Sequence, residues 1–367
     1  MSFIGSRQRS RSVVPGAGPA GGAFTSGSLT RRGLLSAGGA LAVGALISAC
    51  GGDGESGNGS GSGDGGSGDG AWTFTDDRGT KVDVKARPKR VVGYVGTAAA
   101  LYDFGVDRQL VGVFGPTKLK DGRPDPQAGS LPVDRLEVIG NAFGEFNIEK
   151  YAALRPDLLV DNMFLANELF YVPAESKDKI FALAPSAAIA AGAVLLPKPI
   201  ERTAALAAAL GADLKSAKVT AAKARFDKAV AAVRAAAKAN AGLKVLAASA
   251  SPDLFYASSP GKNTDLIYFK ELGVDLIVPD KPGRDGYFEE LSWENAGKYK
   301  ADVIMLDSRT QALQPKDLGA KPSWTDLPAV KAGQVIPWQP EPRFSYEGCA
   351  PIFEALATSI ESAKKTG

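Results

Sequence analysis

The chain has 367 residues, 44% of them hydrophobic and 23% charged, which is enough apolar material for a large core in one or two domains. Lys and Arg total 43 against 40 Asp and Glu, so a net charge of +3 gives no field strong enough to make nucleic acid the expected partner. Histidine is absent, which removes the usual general base, the usual zinc ligand and the usual pH switch together.

Residues 1–29 are rich in Gly, Ser, Pro and Arg and too poor in apolar groups to fold. Gly16, Gly18 and Gly21 match a dinucleotide-binding spacing, but no strand precedes them and no helix follows, so the match is read as chance. Arg31 and Arg32 then introduce an uncharged apolar run, Leu34–Ala49, that ends at Cys50. At roughly 16 residues it is shorter than the ~20 that span a bilayer, and its layout is that of an export signal. Leu46-Ile47-Ser48-Ala49-Cys50 resembles the bacterial lipobox, which implies cleavage before Cys50 and lipidation of its thiol. Thr30-Arg31-Arg32-Gly33-Leu34-Leu35 resembles the twin-arginine signal, with general secretion as the alternative. Residues 50–71 are almost entirely Gly, Ser, Asp, Asn and Glu, a flexible tether with a reach of about 25 Å.

Trp72–Thr75 and Lys81–Val84 alternate around Asp76-Asp77-Arg78-Gly79 and predict a hairpin. Arg90–Val95 predicts a buried strand, Thr97–Phe104 a helix stopped by Gly105, and Leu110–Phe114 a second strand, together a parallel crossover unit. Lys118–Leu136 predicts a long loop, Ile148–Leu154 a short helix, and Asp157–Asp161 a strand. The alanine-rich run Asp213–Asn240 predicts one long helix, with Val219, Ala222, Phe226, Ala229, Val230, Val233 and Ala237 on its apolar face and Asp213 as its cap. Such a helix extends about 40 Å and has no adjacent partner segment in the sequence.

After it the pattern repeats. Leu243–Ala248 predicts a strand, Asp265–Leu272 a helix stopped by Gly273, and Asp275–Val278 a strand. Asn147-Ile148-Glu149-Lys150 precedes Asp157 and an apolar strand; Ser292-Trp293-Glu294-Asn295 precedes Asp302 and Val303–Leu306 with the same Glu-to-Asp offset. Phe104-Gly105-Val106-Asp107 and Leu272-Gly273-Val274-Asp275 likewise correspond. The expectation is an α/β protein with an N-terminal lobe over 72–200, a helical linker over 201–241 and a C-terminal lobe over 242–367, the two α/β cores lying at about 88–200 and 242–345.

Phe146–Val160 and Trp324–Val335 resemble the most recognisable segments of the iron-siderophore and cobalamin class of binding proteins that feed ABC importers, and the resemblance extends over the chain from Cys50 onward. It implies two Rossmann-like lobes bridged by a single long helix, a ligand cleft between them, and only small hinge motion. It also implies that Glu149 and Glu294, one per lobe, dock onto arginines of a dimeric permease served by its ATPase.

Ligands of open α/β sheets sit beyond the carboxyl ends of the strands. The aromatic and arginine side chains there are Tyr94 and Phe164 in the first lobe, and Phe255, Tyr256, Arg284, Tyr287, Arg309, Trp338 and Arg343 in the second. Of these, Tyr94, Phe164, Tyr256, Arg284, Tyr287, Arg309, Trp338 and Arg343 are the expected ligand contacts. Aromatic faces suit the apolar shell of a chelate, and the loop arginines fit an anionic or oxygen-rich ligand. Without histidine, direct capture of zinc or manganese is disfavoured and haem would need a tyrosine ligand, so any metal should arrive already chelated. The expectation is therefore a monomeric, lipid-anchored protein on the outer face of the cytoplasmic membrane that holds a ferric siderophore, with no cofactor and no metal site of its own. Cobalamin or haem is the alternative ligand. An enzyme is disfavoured, since no GxSxG, P-loop or HExxH motif is present. Cys349 is expected as a buried, unpaired thiol.

Overall fold

The computed structural model describes residues 70–366. The expected export signal over 1–49, the lipidation site Cys50 and all but the last two residues of the tether lie outside that range.

The hairpin forms as expected, with β1 (Trp72–Thr75) antiparallel to β2 (Lys81–Val84). Buried Asp76 explains its turn: Oδ1 accepts the amides of Arg78 and Thr80 at 2.9 and 3.0 Å, while Oδ2 accepts the Ala188 amide at 3.0 Å and ties the hairpin to the first sheet. That sheet contains β3 (Val91–Tyr94), β4 (Leu110–Phe114), β5 (Glu137–Gly140), β6 (Leu158–Met163) and β7 (Ser186–Ala190), all parallel in the order β5-β4-β3-β6-β7. Every residue of β3 and β6 is buried, as strands covered on both faces should be, and in β6 that burial includes the polar Asp161 and Asn162. The crossovers carry α1 (Val95–Asp103), α2 (Ile148–Ala153) and α3 (Lys177–Leu183). The predicted loop over 118–136 contains only two single-turn 3-10 segments, but β5, α3 and β7 have no counterpart in the sequence reading.

After α4 (Pro197–Ala209), the long helix α5 spans Ala217–Ala239, about 35 Å at 1.5 Å per residue. Ser216 is its cap, accepting the Val219 amide at 3.5 Å; Asp213 instead closes the preceding turn by accepting the Lys215 amide at 2.8 Å. Six of the seven predicted face residues are buried and Val230 is half-buried. The helix does have a partner. It packs along the C-terminal helix, with Phe226 edge-on to Phe353 and Arg225 paired to Glu354 at 2.8 Å.

The second sheet holds β8 (Lys244–Ala250), β9 (Leu254–Ser258), β10 (Asp275–Leu276), β11 (Phe288–Ser292), β12 (Val303–Asp307) and β13 (Val335–Trp338). Its order is β11-β9-β8-β12-β13, with β10 beside β8. β9 and β11 run antiparallel, so Phe255 and Tyr256 lie on a strand rather than on the expected loop. Helix α6 (Thr264–Glu271) follows β9, and three one-turn helices, α7 (Pro315–Leu318), α8 (Pro322–Thr325) and α9 (Pro328–Lys331), follow β12. The C-terminal helix, α10 (Tyr346–Ser362), then returns along α5.

The internal repeat has a physical basis. Asp157 Oδ2 accepts the amides of Lys89 and Arg90 at 2.9 and 3.0 Å, and Asp302 Oδ2 accepts that of Lys244 at 2.8 Å. Each aspartate thus fastens the start of one central strand to its parallel neighbour. Gly105 and Gly273 end α1 and α6 at φ 105° and 96°, in the left-handed region that glycine tolerates best.

Candidate functional site: the cleft between the lobes

A cleft of about 880 Å³ opens at the carboxyl ends of both sheets. Its first-lobe wall is the loop after β6, running from Phe164 past Phe170 and Tyr171 to Glu175, with Phe143 standing at the rim. Phe143 is 76% exposed and meets the Tyr171 ring edge-on at 5.2 Å. Tyr171 adopts φ 64°, a left-handed conformation that bulky side chains rarely take and that fixes its ring against Phe170 and Tyr94. The opposite wall comes from Tyr256 on β9 and from the loop Gly283–Phe288 before β11. The walls meet where Tyr287 donates its hydroxyl to the Phe164 carbonyl at 2.5 Å. Gly192 permits that approach, since a Cβ there would stand 2.0 Å from the same carbonyl oxygen and 2.5 Å from the Tyr287 hydroxyl.

The floor is a buried polar network shared by both lobes. Arg309, just past β12, pairs through Nη2 with Asp307 Oδ2 at 2.6 Å and through Nη1 with Glu341. Glu341, only 7% exposed, also accepts the Tyr94 hydroxyl at 2.9 Å and the Gln127 side-chain amide at 2.8 Å. Beside them Thr310 donates to Asp125 Oδ2 at 2.8 Å. Burial works against the Arg309 charge, but Glu341 and then Asp307 raise its pKa further and keep it cationic. Tyr94 and Tyr171 are pushed well above the ordinary phenol value, first by burial and next by the Glu341 charge, and burial lifts Tyr287 to about 12. All three phenols are therefore neutral hydrogen-bond donors near neutral pH.

Of the eight expected contacts, Phe164, Tyr256, Arg284, Tyr287 and Arg309 line the cleft, and Tyr94, Trp338 and Arg343 do not. Tyr94 lies beneath the floor, 1% exposed, and reaches the site only through Glu341. Trp338 is the last residue of β13 and is completely buried, its indole N–H donated to Asp265 Oδ2 at 2.6 Å. Arg343 points away from the cleft to Asp103 at 3.4 Å and packs on Gly129, whose φ of 54° and missing Cβ make room for the guanidinium. Sequence reasoning missed Phe143, Phe170, Tyr171, Phe288 and Glu341. The Phe170-Tyr171 pair had a usable signal, two adjacent aromatics in the loop after a predicted strand.

Residues 91–342 match the periplasmic binding protein family. The chain belongs to that family. DesE, a ferric-siderophore receptor protein from Streptomyces coelicolor, is 52% identical over 81% of this chain and 100% of its own, with a TM-score of 0.78. YclQ, a petrobactin-binding protein from Bacillus subtilis, is 20% identical over 80% of this chain and 99% of its own, at 0.60. Staphylococcus aureus SirA, solved with staphyloferrin B, is 20% identical over the same shares at 0.54. The latter two share the fold. Comparison with curated proteins returns no match.

Glu149 lies in the first turn of α2, whose cap Asn147 accepts the Lys150 amide at 2.9 Å; Glu294 lies in the 3-10 turn after β11. Both are exposed, and neither is in a salt bridge among the described residues. The Glu294 carboxyl is held below its ordinary value by its own amide and by the Ser292 hydroxyl. Among the described residues no His/Cys/Asp/Glu group is arranged to hold a metal ion, and no helix is long and apolar enough to cross a membrane. Cys349 is completely buried and free, its thiol pushed up by burial and donated to the Arg343 carbonyl at 3.3 Å.

Proposed function

We propose that this protein captures a ferric siderophore outside the cytoplasmic membrane and delivers it to the permease of an ABC importer, without catalysing a reaction. The observation that carries this reading is the 52% identity to a ferric-siderophore receptor over that receptor's whole length. The cleft is compatible with it. Its volume of about 880 Å³ lies within the range of small-ligand sites, and its aromatic walls suit the apolar frame of a chelate whose iron is already saturated. Phe164, Tyr256, Arg284, Tyr287 and Arg309 are the proposed contacts from the sequence reading, joined by Phe143, Phe170 and Tyr171. Glu149 and Glu294 would each present an anion to one permease subunit, consistent with their exposure on opposite halves of the repeat. In the full reading, Cys50 carries the lipid that holds a monomeric protein on the outer face of the membrane.

Titration of the purified protein with ferric siderophores, followed by intrinsic fluorescence, tests the ligand. Saturable quenching by a ferric chelate, with none by cobalamin or haemin, is the expected result. Binding of cobalamin or haemin alone, or turnover of a generic ester, would overturn it.

A further inference from the structure

Positive charge is concentrated on one element of this chain. Helix α5 carries six Lys and Arg, at 218, 223, 225, 228, 234 and 238, against the single acid Asp227, and is therefore net +5. The whole chain is +3, so everything outside α5 is net −2. All six cations are exposed, and the exposed positions between them include Ala221, Ala224, Ala231 and Ala235, short side chains that do not screen them. Lys223 is paired with Asp227 at 2.7 Å, and Arg225 takes both acids that face it from α10, Glu354 at 2.8 Å and Glu347 at 3.4 Å. Glu271, which acts on Tyr268 together with Arg234, is offset by the adjacent Lys270. Lys218, Lys228, Arg234 and Lys238 are in no salt bridge among the described residues.

The position of α5 says what such a strip would meet. Lys218 donates to the Tyr102 carbonyl at 3.3 Å near the end of α1, and a Cβ on Gly273, after α6, would stand 3.9 Å from Ala237. Those two helices end where β4 and β10 begin, so α5 runs along the amino ends of both sheets, opposite the cleft. The chain enters the fold on the same side. The Trp72 indole N–H is donated to the Ala209 carbonyl at 2.8 Å, at the end of α4, and α5 begins after the turn that follows. A lipid on Cys50, with a tether reaching about 25 Å, would hold a bilayer within range of this face.

We propose that the basic outer face of α5 docks on anionic phospholipid headgroups, so that the anchored protein rests on the bilayer with its cleft turned outward to solvent. Each exposed Lys or Arg brought to an anionic surface adds to the attraction, and four without carboxylate partners suffice for reversible binding. Glu149 and Glu294 lie on the other side. Asn147, two residues before Glu149, donates its amide to the Ile139 carbonyl near the end of β5 at 2.9 Å, and Trp293 donates its indole to the Ser251 carbonyl just past β8 at 3.2 Å. Resting on lipid and docking on a permease through those glutamates are therefore mutually exclusive, and the protein must leave the lipid to deliver its cargo.

The full chain with Cys50→Ser is labelled with an environment-sensitive dye at Ala224→Cys on α5 or, in a second protein, at Ala174→Cys on the cleft wall. Vesicles of equal parts phosphatidylglycerol and phosphatidylcholine, or of phosphatidylcholine alone, carry a headgroup quencher. Arginines of residues 1–49 are common to every sample, so the readout is where lipid touches the fold. Quenching of the Ala224 dye by the anionic vesicles only, its loss near 1 M salt, and an unquenched Ala174 dye are expected. Lys228→Gln, Arg234→Gln and Lys238→Gln together should raise the lipid concentration for half-quenching by about 10- to 100-fold at unchanged Tm. An unquenched Ala224 dye, equal quenching at both positions or by both vesicles, or an unaltered triple variant would overturn the proposal. So would binding of a soluble polyphosphate with none to vesicles. No siderophore enters these measurements, so the capture reading stands or falls separately.

Discussion

Replacing Asp265 by asparagine tests the account of the buried Asp265–Trp338 pair at the end of β13. Asp265 is buried in the first turn of α6, with Oδ2 taking the Trp338 indole N–H at 2.6 Å and Oδ1 the Leu266 amide at 2.9 Å. Burial outweighs those donors and lifts the carboxyl from 3.8 to about 6. Because the folded-state value lies above the unfolded one, the folded chain binds the proton more tightly. The stability this group contributes is fully present below pH ~4, declines as pH rises to about 6, and is gone above it. A gap of about two units at 1.36 kcal/mol each is about 3 kcal/mol, or roughly 6 °C in Tm for a chain of this size. Asparagine keeps an oxygen for the indole but cannot titrate. In urea unfolding from pH 4 to pH 7, the free-energy difference between Asp265→Asn and the parent should therefore move by about 3 kcal/mol in the variant's favour. Trp338 fluorescence should report the same transition in the parent alone. A difference that stays constant across this window would refute the reasoning.

Trp338→Ala should destabilise the fold by about 3–5 kcal/mol, because it empties a completely buried site; a variant with parental Tm and weakened ligand binding would instead return Trp338 to the cleft. Tyr287→Phe removes a hydrogen bond between the lobes and should cost about 1 kcal/mol in urea unfolding; no loss would mean that the contact contributes nothing net. Cys349 should resist alkylation in the folded state and react only on unfolding, as expected for a buried thiol of raised pKa; rapid native labelling would contradict its placement. Glu149→Ala with Glu294→Ala should leave Tm and ligand affinity nearly unchanged, since both side chains are exposed, while siderophore uptake by cells falls sharply; full uptake would remove their docking role.

The parts of the fold that were legible in the sequence are those in which local pattern and tertiary role coincide. Strands buried on both faces, such as β3, β6 and β12, begin with runs of three or more apolar or glycine residues, and α5 has a periodic face whose predicted residues are buried or half-buried. The aspartates at 157 and 302 were visible as a repeat because both meet the same need, a carboxylate for the amides that begin a neighbouring strand. Strands β9 and β11 were not legible. They are short and half-buried, and their pairing partners lie about 30 residues apart in antiparallel register. The partnership of α5 with α10 was hidden for a related reason: it depends on contacts such as Arg225 to Glu354, distant in sequence, and α10 carries Pro351 in its interior.

The site divides along the same line. The rule that ligands gather beyond strand ends identified Phe164, Tyr256, Arg284, Tyr287 and Arg309, yet it could not separate them from Trp338 and Tyr94. The last residue of a strand still alternates faces, and one step along the chain decides between cleft and core. Nor could it assign charge. Arg343 is claimed by Asp103, 240 positions away, and Arg309 by Asp307 and Glu341, so of the three arginines from the sequence only Arg284 has no carboxylate partner among the described residues. An arginine counted alone argues for an anionic ligand; an arginine already enclosed by two carboxylates contributes hydrogen-bonding shape and leaves the sign of the cleft to its neighbours. The charge at these strand ends therefore depends on which carboxylates the fold brings to meet the arginines, pairings between residues as far apart as Asp103 and Arg343 that no local pattern in the sequence displays.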